Sequence, residues 1–244
     1  MLTNDKIIKE LENDSSYYGN YGKQFLSNSD IDDLLNNPKN FKKGKDKTVP
    51  MLIGSYFHTS ILEPHKLPDF EIVDASTRNT NIYKDARGDR DMLLLRSEAN
   101  EIDELVSVMK GNLTMYENIY KEGNQYEVPA VKEIYGTMWK GKADIITDEY
   151  LIDIKTTSKI DDFRWSARKY NYDSQSWIYQ QLFEKPLIFY VIDKSTKMLG
   201  IFVPGEDFLE QGRIKVLSAI EVWRKFYSPD AWEDINNYII EEEL

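Results

Sequence analysis

Gly141-Lys142-Ala143-Asp144, followed after a short gap by Leu151-Ile152-Asp153-Ile154-Lys155-Thr156-Thr157, decides how this chain reads. Polar and apolar residues mostly alternate over 138–146, and 150–156 reads as a second strand, so the two predict a β-hairpin broken at Asp148-Glu149. A two-residue loop pairs Thr147 with Tyr150, a four-residue loop pairs Ile146 with Leu151, and either one puts Asp144 opposite Asp153. Opposed residues share a sheet face with Cβ atoms about 5 Å apart, and Lys155 joins that face through the period-two alternation. Two facing carboxylates repel each other. A divalent cation removes the repulsion, and oxygen donors of this kind suit Mg²⁺ or Mn²⁺. Lys155 then orients or deprotonates an attacking water, or stabilises charge developing at phosphorus. A surface hairpin with ordinary solvated charges satisfies the same residues, so the hairpin alone leaves both readings open.

Composition narrows the field. The 244 residues suit one domain with room for a real core, and 41% hydrophobic content with five Trp, ten Phe and sixteen Tyr opposes disorder. No apolar run approaches the roughly 20 residues of a membrane-spanning helix, and the opening Met-Leu-Thr-Asn-Asp-Lys lacks the layout of a signal peptide. With zero Cys, disulfides, zinc–thiolate sites and iron–sulfur clusters are excluded, and a reducing, cytoplasmic setting is compatible. Net charge is −11, which by itself disfavours nucleic acid. Its distribution tempers that: Lys39, Lys42, Lys43, Lys45 and Lys47 cluster with only Asp46 against them, and Arg78, Lys84, Arg87, Arg90 and Arg96 punctuate another stretch. Acid collects elsewhere, as in Glu241-Glu242-Glu243. Each basic cluster reads equally well as a solvated loop.

The flanking chain reads as helices, then strands over 126–134, 138–147 and 150–156, a helix, strands over 187–192 and 198–203, and a last helix over 207–226. Ser29 is a plausible N-cap for a helix ended by Asn36-Asn37-Pro38, and a helix over 51–62 stops before Pro64. Residues 77–88 read as a loop and 97–110 as a helix with Ile102, Leu105, Val106 and Met109 inward. Residues 161–183 are helical in character, with a break near Asn171 possible, and Trp165, Trp177, Ile178 and Leu182 are expected to bury. In the last helix the expected core is Leu209, Ile214, Leu217, Ile220 and Trp223. This order describes an α/β sandwich with a central mixed sheet flanked by helices: a helical N-terminal portion over about 1–65, a core over about 126–203 and a C-terminal helix over about 206–227, together one domain.

Asp144 with Asp153-Ile154-Lys155 resembles the core of the PD-(D/E)XK nuclease superfamily, and Thr156-Thr157 with the downstream Gln175 and Tyr179 resembles its RecB-like and RecE-like exonuclease branch. Ala143 stands where the superfamily's proline would be, a departure that many members of the branch share. The resemblance spans roughly 26–226 and is specific around His58, over 141–157 and over 172–179. It implies a Mg²⁺-dependent deoxyribonuclease, most nearly an exonuclease on double-stranded DNA that leaves single-strand tails for phage or prophage recombination in a bacterial cytoplasm. The alternatives are an endonuclease, a single-strand-specific RecB-like enzyme, or a DNA-binding module without chemistry. The resemblance further implies a ring-forming homo-oligomer and a single-strand annealing protein as partner. By resemblance, Asp144, Asp153, His58 and the Ile154 carbonyl hold the metal, and Lys155 positions the water. Gln175 and Tyr179 orient the lysine or the scissile phosphate. Glu133 falls where relatives often carry an accessory acid, or is simply an exposed strand residue. If the helix is unbroken, Arg168 and Tyr172 continue the Gln175–Tyr179 stripe at helical spacing and suit a DNA strand end. Arg78 and Arg87 could grip the backbone.

Overall fold

The computed structural model describes residues 4–44 and 47–240. Lys45 and Asp46 of the basic stretch, the first three residues and the acidic run at Glu241-Glu242-Glu243 lie outside them. The helices are α1 (Asn4–Leu11), α2 (Asp14–Tyr18), α3 (Ser29–Asn36), α4 (Val49–Leu62), α5 (Asn81–Arg87), α6 (Arg96–Gly111), α7 (Leu113–Ile119), α8 (Phe163–Lys169), α9 (Tyr172–Phe183) and α10 (Glu206–Phe226). Two short parallel strands, β1 (Ile72–Val73) and β2 (Leu94–Leu95), stand apart from the main sheet of β3 (Gln125–Ile134), β4 (Thr137–Ile146), β5 (Leu151–Thr157), β6 (Leu187–Asp193) and β7 (Leu199–Phe202).

The main sheet keeps sequence order, β3-β4-β5-β6-β7, and is antiparallel except between β5 and β6. That parallel pair needs a crossover, which α8 and α9 supply. Tyr135 and Gly136, with φ of 50° and 74°, make the tight turn from β3 to β4, where two left-handed residues match the twist of a hairpin. One face of the sheet packs on α3, α8, α9 and α10 through Trp139, Ala143, Leu151, Phe189 and Val191. The other packs on α4, α6 and α7 through Ile145, Ile152, Ile154, Tyr190 and Ile192. Ile152 and Ile154 are fully buried, each worth about 2 kcal/mol. A one-residue slip of β5 would send both to the opposite layer, so their burial fixes the face on which Asp153 and Lys155 stand.

Several elements depart from expectation. Residues 77–88 are not all loop: α5 forms because Thr80 caps it, its hydroxyl accepting the Tyr83 amide. The break near Asn171 that the sequence allowed over 161–183 is present, Asn171 adopting a left-handed φ of 58° between α8 and α9. Trp165, on the separate α8, is 61% exposed rather than buried. Ile214 is exposed as well: α10 buries Gly212, Val216, Ala219 and Ile220, a stripe turned by part of a helical turn from the expected one. Ser29 opens α3 rather than capping it; instead Asp30 accepts the Ser27 amide at 2.8 Å.

Candidate active site

The expected β4–β5 register holds at its start and fails where it matters. Ile146 pairs with Leu151 and Ile145 with Ile152, and the Thr147 amide donates to the Tyr150 carbonyl across Asp148-Glu149. The ladder then stops one step short of Asp144 and Asp153. Asp144 takes over with its side chain: Oδ2 accepts the Ile154 amide at 2.9 Å, so β4 and β5 fork and a cleft opens between them. Ala143 and Ile145, two apart and so expected on one face, belong to opposite layers. The strand turns over at Asp144, and the directly opposed carboxylate pair of the sequence reading becomes two carboxylates at the mouth of a fork.

Asp144 reaches the α4 side. His58, on a helix held by its Phe57 and Ile61 contacts, brings Nδ1 to 3.2 Å from Asp144 Oδ2. Glu127 completes a triangle: His58, Glu127 and Asp144 each offer one donor atom within 4.8 Å of the others. The constant β3–β4 register sets Glu127 across from Asp144, and its φ of 52° marks a local kink there. Glu133, the accessory acid expected from sequence, is exposed opposite Met138. It sits six residues of strand from the Asp144 rung, about 20 Å away. The turn at Tyr135-Gly136 was the signal that could have found Glu127, because it alone fixes which acid on β3 faces Asp144.

Asp153 belongs to the α9 side and is buried. Its Oδ1 accepts from Gln175 Nε2 at 2.6 Å. Its Oδ2 is paired with the Lys155 ammonium. That ammonium also lies 5.0 Å from the centre of the Tyr172 ring. Tyr179, one turn on from Gln175, instead donates to the Lys142 carbonyl at 2.9 Å and so ties α9 to β4. Close approach is possible because residue 141 is Gly: a Cβ there would stand 2.7 Å from Tyr179 and Leu182 side-chain atoms.

The charges are unbalanced in a way that favours a cation. Burial raises the Asp153 carboxyl, and Asp144 adds to the rise against the opposing pull of Lys155. Burial together with Asp144 pushes Glu127 up to about 7. Burial would raise Asp144 as well, but His58, Lys155 and the Ile154 amide outweigh it and keep its carboxyl below the usual range. His58 is pulled down by burial and raised further by Asp144. Burial opposes the charge of Lys155, yet Asp153 and Asp144 hold its ammonium well above the usual lysine range. Five carboxylates, of Asp14, Glu63, Glu127, Asp144 and Asp153, therefore line one cleft with the His58 imidazole and the ammonium groups of Lys140, Lys142 and Lys155, and a donor set of oxygens with one nitrogen fits a divalent ion.

The other sequence-picked residues fall elsewhere. Arg168 is cut off from the Gln175–Tyr179 stripe by the Asn171 break and stacks over Phe208 at 5.2 Å. Arg78 is engaged in a two-pronged ion pair with Glu98, at 2.6 and 2.7 Å, bracing the loop before α5 against α6. Arg87 is exposed on α5, bonded to the Gly88 carbonyl. Lys42 turns inward to the Phe25 carbonyl at 2.7 Å. The cleft instead acquires cations that the sequence reading passed over: Lys140 and Lys142, on β4 beside Asp144, meet the Tyr17 carbonyl and Asp14 of the N-terminal helices.

The five-stranded mixed sheet flanked by helices is the α/β architecture of the PD-(D/E)XK nuclease superfamily. Within it, the chain belongs to the family of PDDEXK-like domains of unknown function DUF3799, whose model matches residues 23–234. No curated protein matches the sequence. Among solved structures it is similar to a protein from Eubacterium rectale provisionally described as an exonuclease, with 16% identity and a TM-score of 0.62 over 100% of this chain and 96% of that one. At that identity the likeness speaks for the fold. A further match, SSO0001, has 17% identity over 80% of this chain and 84% of that one, and its TM-score of 0.33 carries no argument.

Proposed function

We propose that this chain, as one nuclease domain, is a metal-dependent deoxyribonuclease that degrades linear double-stranded DNA from its ends. The observation that carries the reading is the fork itself, where a backbone ladder is given up so that Asp144 and Asp153 can face one cleft with Lys155. A binding module gains nothing from burying carboxylates that oppose phosphate.

In this reading Asp144, Asp153, His58 and the Ile154 carbonyl hold Mg²⁺, or Mn²⁺, with Glu127 in the accessory place expected of Glu133. Bound there, the ion shields the phosphate and lowers the pKa of a coordinated water. The protein's own groups do the rest. Lys155, paired with Asp153 beside the cleft, positions the attacking water or a phosphate oxygen. Gln175 fixes the rotamer of Asp153, and Tyr172 flanks the ammonium. Tyr179 acts one step back, through β4. The cleft, about 550 Å³, is lined by Lys140, Lys142 and Lys155 but also by Asp14, Glu63, Glu127, Asp144 and Asp153, so a bound cation, rather than the lysines alone, would offset the repulsion of phosphate. Tail production for recombination, a ring-shaped homo-oligomer, a single-strand annealing partner and a bacterial cytoplasm follow from the resemblance to RecE-like exonucleases. Among the described residues, no helix is long and apolar enough to cross a membrane.

Incubating end-labelled linear duplex and covalently closed circles with Mg²⁺ tests the reading. Loss of the linear DNA with survival of the circles is expected. Nicking of circles at the same rate would make the chain an endonuclease, and metal-independent binding without hydrolysis would make it a binding module.

A further inference from the structure

A second cavity, of about 570 Å³, lies beside the candidate active site, between α8, the end of β7 and the start of α10. Its walls carry the partly exposed rings of Phe202 and Phe208, backed by the buried rings of Phe163 and Phe189, with Arg164 and Arg168 also lining it. The sheet register ties it to the cleft. Asp153 pairs with Phe189 on β6, and Phe189 pairs with Phe202 on β7. Opposed residues share a face, so one row runs from the carboxylate to two cavity rings across two strand spacings, about 10 Å. Tyr172 bridges the same gap above the sheet: its ring lies 5.5 Å from that of Phe189 and 6.0 Å from that of Phe163, and 5.0 Å from the Lys155 ammonium.

Such a row changes character, from groups that suit a phosphodiester to groups that suit a flat ring. Bases present π-faces to aromatic side chains, and guanidinium groups serve both the faces and the phosphates. The surroundings extend the pattern. Trp165, 61% exposed, stacks with Arg164 at 5.0 Å, and Arg168 lies over Phe208 at 5.2 Å. Glu206 and Asp207, also lining the cavity, can accept from exocyclic amines.

We propose that this cavity binds an unstacked nucleobase of the strand being cut, a few nucleotides from the scissile phosphate. The proposal rests on the nuclease reading above and adds to it a base-binding subsite that holds the strand by stacking rather than by charge. A peptide with an aromatic side chain is the competing occupant; continuity with Asp153 and Lys155 through one register row favours the base.

End-labelled duplexes carrying one abasic site at successive positions provide the test, with wild type, Phe208→Ala and Val203→Glu. Val203 lines the cavity and is 69% exposed, so its replacement puts no load on folding. Wild type is expected to pause at a fixed offset before each abasic site, with KM raised about tenfold, the worth of one stacked base. Both variants are expected to show that raised KM on intact DNA and to lose the pause. Wild-type degradation that proceeds evenly through every abasic position overturns the subsite while leaving the nuclease reading intact. A pause that both variants retain also overturns it, and leaves the cavity to a peptide. Absence of any metal-dependent degradation removes the nuclease reading and the subsite with it.

Discussion

Gln175 donates from Nε2 to Oδ1 of Asp153 at 2.6 Å, joining the first turn of α9 to β5 inside the protein. This bond holds the Asp153 carboxylate with one oxygen on Gln175 and the other on Lys155. Replacing Gln175 by Leu leaves a buried carboxylate short of a partner. Loss of an outer partner of a metal-holding group typically costs 10- to 100-fold in activity or metal affinity. We expect a fall of about that size in Mg²⁺-dependent DNA degradation, with the Mg²⁺ concentration for half-maximal rate rising. Gln175→Glu, which sets a second carboxyl against Asp153, should be no better. An unchanged Mg²⁺ dependence in Gln175→Leu contradicts the role.

The pH dependence of metal-free stability reports on Glu127. Burial, with Asp144 beside it, raises its folded-state pKa to about 7, above the ordinary glutamate range. The folded chain thus binds a proton that the unfolded chain has lost, and stability falls as pH rises toward 7 and stays reduced above it. His58 acts in the same direction: burial alone would lower it, Asp144 more than offsets this, and its stabilisation fades as pH rises through its raised pKa. In EDTA, the Tm of wild type should drop between pH 5 and pH 8 by more than that of Glu127→Gln. Calorimetric scans at both pH values check this, and parallel slopes would count against the assignment.

Gly141 separates steric from catalytic effects. Its backbone is ordinary, so only the space for a Cβ, 2.7 Å from Tyr179 and Leu182 atoms, is at issue. Gly141→Ala should push α9 from β4, strain the Tyr179–Lys142 bond and cost about 1–3 kcal/mol. Urea unfolding gives the stability, and a loss of cutting activity should accompany it, since Gln175 rides on the same helix. A variant as stable as wild type would show that α9 has room to move.

Arg78 was a DNA-contact candidate that the structure turns into a brace. Its bidentate pair with Glu98 is partly buried. Arg78→Ala and Glu98→Ala should each lower stability by about 1–3 kcal/mol, non-additively in the double variant. DNA affinity, measured with Ca²⁺ in place of Mg²⁺, should not change. Weakened DNA binding at unchanged stability would restore the residue to the DNA path.

Much of the fold was legible because its strands announce themselves by local pattern. The Asp148-Glu149 break fixed the β4–β5 register, and the alternation over 138–146 and 150–156 fixed the elements. Asp144, Asp153, Lys155, Gln175 and His58 do meet in one cleft. What escaped depends on three-dimensional competition. Glu133 was named as an accessory acid or an exposed strand residue, and Glu127 was not considered, because the β3–β4 turn was not used to set the register. Arg168 joined the Gln175–Tyr179 stripe only on condition of an unbroken helix, and the left-handed Asn171 removes that condition. The fork itself is invisible in sequence: nothing in Asp144 says that its side chain will take the Ile154 amide in place of a strand. Lys140 and Lys142 were given no place in the site because their partners, Tyr17 and Asp14, lie more than a hundred residues away.

The central claim is that the buried carboxylates at the fork hold a metal that cleaves DNA. End-labelled linear duplex incubated with Mg²⁺, then with EDTA, for wild type, Asp144→Ala and Asp153→Ala tests it most directly, with folding of each variant checked by circular dichroism. The account predicts rapid loss of label by wild type, none in EDTA, and none by either folded variant. Full Mg²⁺-dependent degradation by Asp153→Ala would contradict it.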